Sequence, residues 1–230
     1  MAIAFRQVAT ASKGEAGTTI TCDVPAGTQN NDGMLLCVTV RGDRTVTTHA
    51  SWTFVGSALS GTDPYSCRKY VYSRVASSEP SSYTITISGD ADATATIVSY
   101  SGTLTTGLVD ASLGTVDTDA DTSLTANAIT TTVADCMVVG FFSANVGVPD
   151  TYSITPPSGM TERAEIASTG DQHIRSETAD VLQAGIGTTG AKTATLSSDP
   201  GASDEACFLV ALAPAPEAAP SGFPVGAVHI

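Results

Sequence analysis

Thr84-Ile-Thr-Ile-Ser88 and Thr193-Ala-Thr-Leu-Ser197 carry the decisive pattern in the chain. In each, a hydroxyl residue alternates with an aliphatic one. That period of two places the apolar side chains on one face of an extended strand and the hydroxyls on the other. The same texture recurs wherever the chain is not rich in Gly, Pro, Asn or Asp, and no window holds an apolar stripe of helical period. The class is therefore all-β. Strands are expected over 4–11, 18–24, 34–41, 52–59, 68–76, 83–88 and 95–101, and again over 126–133, 137–143, 161–166, 175–183, 192–197 and 207–213. Turn residues such as Pro25-Ala-Gly27, Asn31-Asp-Gly33 and Pro156-Pro-Ser-Gly159 punctuate them.

Laid over one another, the two sets match at growing offsets. Asp32-Gly-Met-Leu-Leu-Cys-Val38 matches Asp135-Cys-Met-Val-Val-Gly-Phe141 at 103. Ser51-Trp-Thr53 matches Gly159-Met-Thr161 at 108, the Thr84 and Thr193 strands match at 109, and Asp92 to Tyr100 matches Asp204 to Leu212 at 112. Offsets that only grow indicate a duplicated unit with loop insertions. The expected fold is an antiparallel β-sandwich, jelly-roll or immunoglobulin-like, built from two duplicated halves: 1–107 and 124–213, joined by an acidic Thr/Asp-rich connector at 108–123. The pattern leaves open two separate beads or one body sharing a core.

Composition narrows the function. The 230 residues hold 10 Lys+Arg against 23 Asp+Glu, a formal charge of -13, so neither nucleic acid nor an anionic membrane is an expected partner. The start of the chain shows no secretory signal, and the longest apolar runs fall far short of the roughly 20 residues of a spanning helix. Five cysteines, Cys22, Cys37, Cys67, Cys136 and Cys207, make no CxxC and cannot all pair; they read as small buried hydrophobes.

No reaction is written in the motifs, and the chain is expected to be no enzyme and to bind no cofactor or metal. His49, His173 and His229 sit in no metal-binding or hydrolase context. Asp117-Thr-Asp119-Ala-Asp121 opens like a calcium loop, yet Thr122 and Ala128 stand where Gly and Glu are required, so it reads as acidic linker; Asp90 and Asp92 carry the same weak cation signal. Glu79, Glu162, Glu165, Asp171, Glu177 and Asp180 could supply a carboxylate pair for glycoside cleavage, but no aromatic cluster accompanies them. Arg41-Gly42-Asp43 reads as turn chemistry, and Trp52, with Met160 as its counterpart, as a core plug.

After Ala213 the composition changes to a Pro-rich run with Pro214, Pro216, Pro220 and Pro224, which favours extended chain. Residues 214–230 read either as a floppy tail or, through the apolar Phe223, Val225, Val228 and Ile230 together with Pro224, as a docking element for a partner, a role the N-terminal strand at 2–11 could fill instead.

Pro25-Ala-Gly27, Asp32 to Val38, Ser51-Trp-Thr53, Arg74-Val-Ala-Ser77 with Glu79-Pro80, and Thr84 to Ser88, followed by Asp135 to Phe141, Pro156 to Thr161 and Cys207 to Ala213, resemble a family of duplicated β-sandwich bacteriophage virion proteins. Ser51 stands where that pattern has Gly, and Met160 where it has a second Trp. The resemblance implies a capsid decoration, cement or head-spike subunit, oligomeric, assembled in the host cytoplasm into the virion, and bound to the major capsid protein or another virion protein. The rival it leaves is a tail-fibre or minor tail module that binds a host glycan through loop aromatics Trp52, Tyr65, Tyr70 or Tyr152.

Overall fold

A computed structural model describes residues 2–48, 50–61, 66–117, 121–146, 152–170, 174–198 and 204–216. Among them every regular element is a strand. The first half comprises β1 (Ala4–Lys13), β2 (Thr19–Asp23), β3 (Gly33–Arg41), β4 (Val46–Thr47), β5 (Thr53–Ser60), β6 (Cys67–Val75), β7 (Ser82–Ile87) and β8 (Ala93–Ser101). The second comprises β9 (Val109–Asp117), β10 (Ser123–Ala126), β11 (Thr130–Thr131), β12 (Cys136–Asn145), β13 (Ile154–Thr155), β14 (Thr161–Ala167), β15 (Ile174–Gln183), β16 (Gly187–Thr188), β17 (Lys192–Leu196) and β18 (Glu205–Leu212).

These strands stack in four layers. A three-stranded sheet, β2-β7-β4, packs on a five-stranded one, β1-β8-β3-β6-β5; a second five-stranded sheet, β14-β15-β12-β18-β9, carries its own three-stranded cover, β10-β17-β13. All the pairings are antiparallel. The outer strands keep the alternation that announces them: Thr84 and Thr86 face water while Tyr83, Ile85 and Ile87 are buried. The central strands do not alternate. Met34 to Val40 in β3 and all of β12 and β18 are buried on both faces, because one face lines its own half's core and the other lines a core shared by both halves. Leu35, Cys37, Val98 and Tyr100 meet Val139, Phe141, Phe208 and Val210 there. The two halves are one fused body.

The halves repeat one strand order, with β9-β18-β12-β15-β14 answering β1-β8-β3-β6-β5 and β10-β17-β13 answering β2-β7-β4. Each carries a bulge at the same place on its outermost strand, between Phe54 and Gly56 in β5 and between Glu162 and Ala164 in β14. Across the shared core β3 faces β12, β1 faces β14 and β5 faces β9. Thr94 meets Ser176 and Tyr100 meets Asp180, so β8 and β15 run in the same direction.

Three sequence expectations are corrected. The stretch 108–123 is not merely a connector: it contains β9, which completes the second half's sheet against β18. Its mixture of Asp, Ser, Gly and Val hides the strand, because an edge strand needs few large apolar residues. The segment 126–133 is not one strand, since Asn127 breaks it, its N–H donating to Thr115 Oγ1 at 2.9 Å, with β10 before and β11 after. The match of Asp32 with Asp135 is one residue out. Leu35 and Cys37 face the shared core, as do Val139 and Phe141, and Thr39 lies opposite Ser143, a separation of 104. A one-residue slip would turn every side chain to the wrong face.

Candidate functional site

Three places gather polar side chains. The first is a groove of about 620 Å³ on the outer sheet of the first half, with Thr47, Thr48, Ser51, Arg74, Tyr83 and Thr84 among its lining. Its floor is a grid of hydroxyls. Thr84 and Thr86 of β7 and Thr47 of β4 line it, and outside the groove the row continues onto β2, where Thr19 lies beside Thr86 and Thr21 meets Thr84 at 3.1 Å. The rim is held by a hub: Arg74 Nε donates to Glu79 Oε1 at 2.8 Å, the Ser77 N–H donates to the same oxygen at 2.8 Å, and Tyr83 Oη donates to Glu79 Oε2. Burial first, and then the Glu79 carboxylate, push the Tyr83 phenol up to about 12, so it stays protonated and donating. The Tyr83 ring is spent internally, edge-on to Trp52 at 5.3 Å. Such a surface can exchange hydrogen bonds with a polyol but offers it no aromatic face to stack on. Sequence reasoning missed it, although the Thr-x-Thr spacing of 19–21, 45–47 and 84–86 was its signal.

The second place is a carboxylate cluster on β14 and β15. Glu165 lies directly across from Glu177, with Glu162 beside them. Glu165 Oε1 accepts from the Ile154 N–H at 2.8 Å and lies 3.7 Å from Arg175 Nε. Glu177 is buried, and neither of its carboxyl oxygens has a hydrogen-bond partner among the described residues. Burial, reinforced by Glu162 and Glu165, raises its pKa from 4.5 to about 9, so at neutral pH it carries a proton. A raised acid beside two other carboxylates has the electronic pattern of a general acid. Glu177 points into the second half's core, out of reach of a substrate.

The third is a seam through the shared core. Thr39 and Ser143 hydroxyls meet at 3.1 Å, Ser143 and Ser176 at 2.9 Å, and Ser176 and Thr94 at 2.7 Å, all buried. At its β1–β14 flank Asp180 accepts from Tyr100 Oη at 2.8 Å and from both Nε and Nη2 of Arg163 at 2.8 Å, while the Arg163 guanidinium lies 4.1 Å above the Phe5 ring. Arg163 is the extra residue of the β14 bulge, which turns its side chain inward across the halves. Lys69 is wholly buried in the same interface, and its ammonium has no hydrogen-bond partner among the described residues. The seam fixes how the halves meet; nothing in it opens to a ligand.

The remaining nominated residues are dispersed. Arg41 pairs with Glu15 at 2.9 Å, Asp43 pairs with Arg68, and Gly42 has a φ of 78°, so Arg41-Gly42-Asp43 is a strand-ending turn with both charges engaged. Asp117 closes β9, Asp121 accepts from the Ser123 N–H, and Asp119 lies outside the described residues. Asp90 is exposed and Asp92 buried, its pKa raised by burial first. No group of three or more His, Cys, Asp or Glu among the described residues is placed to hold a metal ion. Trp52 and Tyr70 are buried and Tyr152 packs on the second core, so the loop-aromatic sugar platform does not form from them; Tyr65 lies outside the described residues. His49, His173, His229 and Asp171 also lie outside, as do Phe223, Pro224, Val225, Val228 and Ile230.

All five thiols are buried and free, and burial lifts Cys22 and Cys67 to about 12 and Cys136 to about 11. Since the thiolate is the reactive form, native protein at pH 8 is expected to give no colour with a disulfide thiol reagent, and five equivalents per chain once unfolded. Rapid labelling of a native thiol would contradict that burial.

Comparison of the chain with known proteins finds no matching family, no matching characterised protein and no matching solved structure.

Proposed function

We propose that this chain is a non-enzymatic structural protein of a bacteriophage virion, a decoration, cement or head-spike subunit that seats on the major capsid protein and stabilises or adorns the shell. The observation that carries the reading is the shared core. Two sandwich halves pack their broad sheets together into a continuous four-layer block, burying the surface from which a cleft between domains would be built. A block held on three cores resists local opening, which suits a load-bearing part. The acidic, hydroxyl-rich exterior keeps such a subunit soluble until it meets a preformed shell. The sequence resemblance supplies the virion; the tail at 214–230 supplies an attachment segment.

The test is the copy number of this protein per purified particle, measured by mass spectrometry against the major shell protein. Hundreds of copies are the expected result. Absence from particles would overturn the reading.

A second reading, a tail-fibre or minor tail module that binds a host glycan, is favoured by the hydroxyl-floored groove beside Arg74 and Tyr83. It predicts a handful of copies per particle and a glycan-array signal abolished by Thr84→Val with Thr86→Val, a pair of exposed positions whose loss leaves the fold intact.

A further inference from the structure

The seam through the shared core holds a buried cation that its neighbours do not answer. Lys69 is 0% exposed, and its Nζ has no hydrogen-bond partner among the described residues. An ammonium without an acceptor is among the costliest groups to bury, and an aliphatic side chain of similar length would fill the same space at no such cost. The fold itself does not call for a cation there. Lys69 is the register partner of Thr39 as Ser176 is of Ser143, and Thr39 lies opposite Ser143. Ser176 therefore stands in the second half where Lys69 stands in the first, and two hydroxyl neighbours satisfy it.

The strand registers define the surroundings. Across β8, β3 and β6 one row reads Thr94, Thr39, Lys69, and across β15, β12 and β18 the facing row reads Ser176, Ser143, Ala206. Thr94 meets Ser176 and Thr39 meets Ser143, so Ala206 comes opposite Lys69. On β5 the register partner of Lys69 is Ala58, which shares a small cluster with Ala206 and Cys67. Burial pushes the Cys37 and Cys67 thiols up and the Lys69 charge draws both back, which sets the ammonium near both. Asp204 also acts on Cys67, but its carboxylate lies against Gly61 and makes no hydrogen bond to Lys69. The hydroxyls add one more donor. The bonds Thr39–Ser143, Ser143–Ser176 and Ser176–Thr94 take three of the four hydroxyl protons, and a chain oriented from Thr94 towards Thr39 delivers the fourth beside Lys69. A spare O–H and an unmatched ammonium at one buried place are the chemistry of an anion site, and a single ammonium balances a single negative charge.

We propose that the shared core binds a small monovalent anion of the halide class between the Lys69 ammonium and the Thr39 hydroxyl. Lys69, Thr39, Ser143 and Ala206 are all buried, so the place is closed once the halves have met. The anion enters as they close on folding, and its binding free energy adds to the stability of the folded chain. The inference rests on the seam alone and stands apart from the virion reading.

Crystals of the full-length chain grown in sodium bromide are expected to show an anomalous-scattering peak within hydrogen-bond reach of Lys69 Nζ. A map without that peak overturns the proposal, because a water molecule in the same place would give none. In solution, chloride exchanged for gluconate at fixed ionic strength is expected to raise the wild-type folding constant by up to about tenfold for each tenfold in chloride above its dissociation constant, read from urea titrations. Lys69→Met is expected to fold and to lose that response. A chloride response that Lys69→Met shares with the wild type would assign the effect to the surface and sink the inference.

Discussion

Asp180→Ala is expected to cost about 3 kcal/mol of folding stability, read as a lower urea midpoint at unchanged slope. The carboxylate is buried and serves three donors at once, the Tyr100 hydroxyl and two nitrogens of Arg163. Removing it strands a guanidinium between two sheets and leaves a buried phenol without its acceptor. The cost sits at the lower end for a buried pair because the Arg163 side chain keeps 23% of its surface in water. The pair itself is not the source of the number. Arg163→Met combined with Asp180→Leu should recover much of the loss, since it leaves no charge unpaired and only the Tyr100 hydroxyl without its acceptor. A double variant as unstable as Asp180→Ala alone would show that shape, and not charge, was lost.

Glu177→Gln works in the opposite direction. The native pKa of Glu177 is raised from 4.5 to about 9, so the folded state holds a proton that the unfolded chain releases above pH 4.5. Stability from this group is complete below about pH 4.5 and is lost as pH rises towards 9, at about 1.4 kcal/mol per pH unit. Between pH 5 and 8 the wild type is therefore expected to lose roughly 4 kcal/mol that Glu177→Gln keeps, because the amide stays neutral throughout. Thermal melts at both pH values check this: near-identical midpoints at pH 5, and a clearly higher one for the variant at pH 8. A parallel decline in both proteins would place the ionisation elsewhere.

Both of these groups were visible in the sequence only as members of an unremarkable set of carboxylates. Glu165 meets Glu177, and Arg163 reaches Asp180, through a bulge at Arg163 that shifts the register of β14 on β15. Nothing in the local pattern of 161–167 announces a bulge, so the facing pairs were not legible. The outer sheets were, because Thr84 to Ser88 and Lys192 to Leu196 have one wet face and one dry one. The inner sheets were legible as strands but not as layers. Cys136 to Phe142 and Cys207 to Leu212 are uninterrupted apolar runs, the mark of strands buried on both sides, but the choice between a shared core and separate beads was open until the two broad sheets were seen to pack together. β9 was lost among Asp, Ser and Gly, and β4 and β13 are two-residue strands too short for any periodicity.

The facing of β3 with β12, β1 with β14 and β5 with β9 means that a half-turn about an axis parallel to the strands, passing between Thr39 and Ser143, brings one half onto the other. An object with that near-symmetry presents almost the same profile in two orientations, so a seat shaped only to its outline would accept it either way round. What breaks the tie is chemistry at one pole, where Asn30 and Ser78 close one loop pair and Val133 and Ile186 stand open on the other. Handedness of attachment is thus written in a few loop side chains, while the strands beneath them remain indifferent to it.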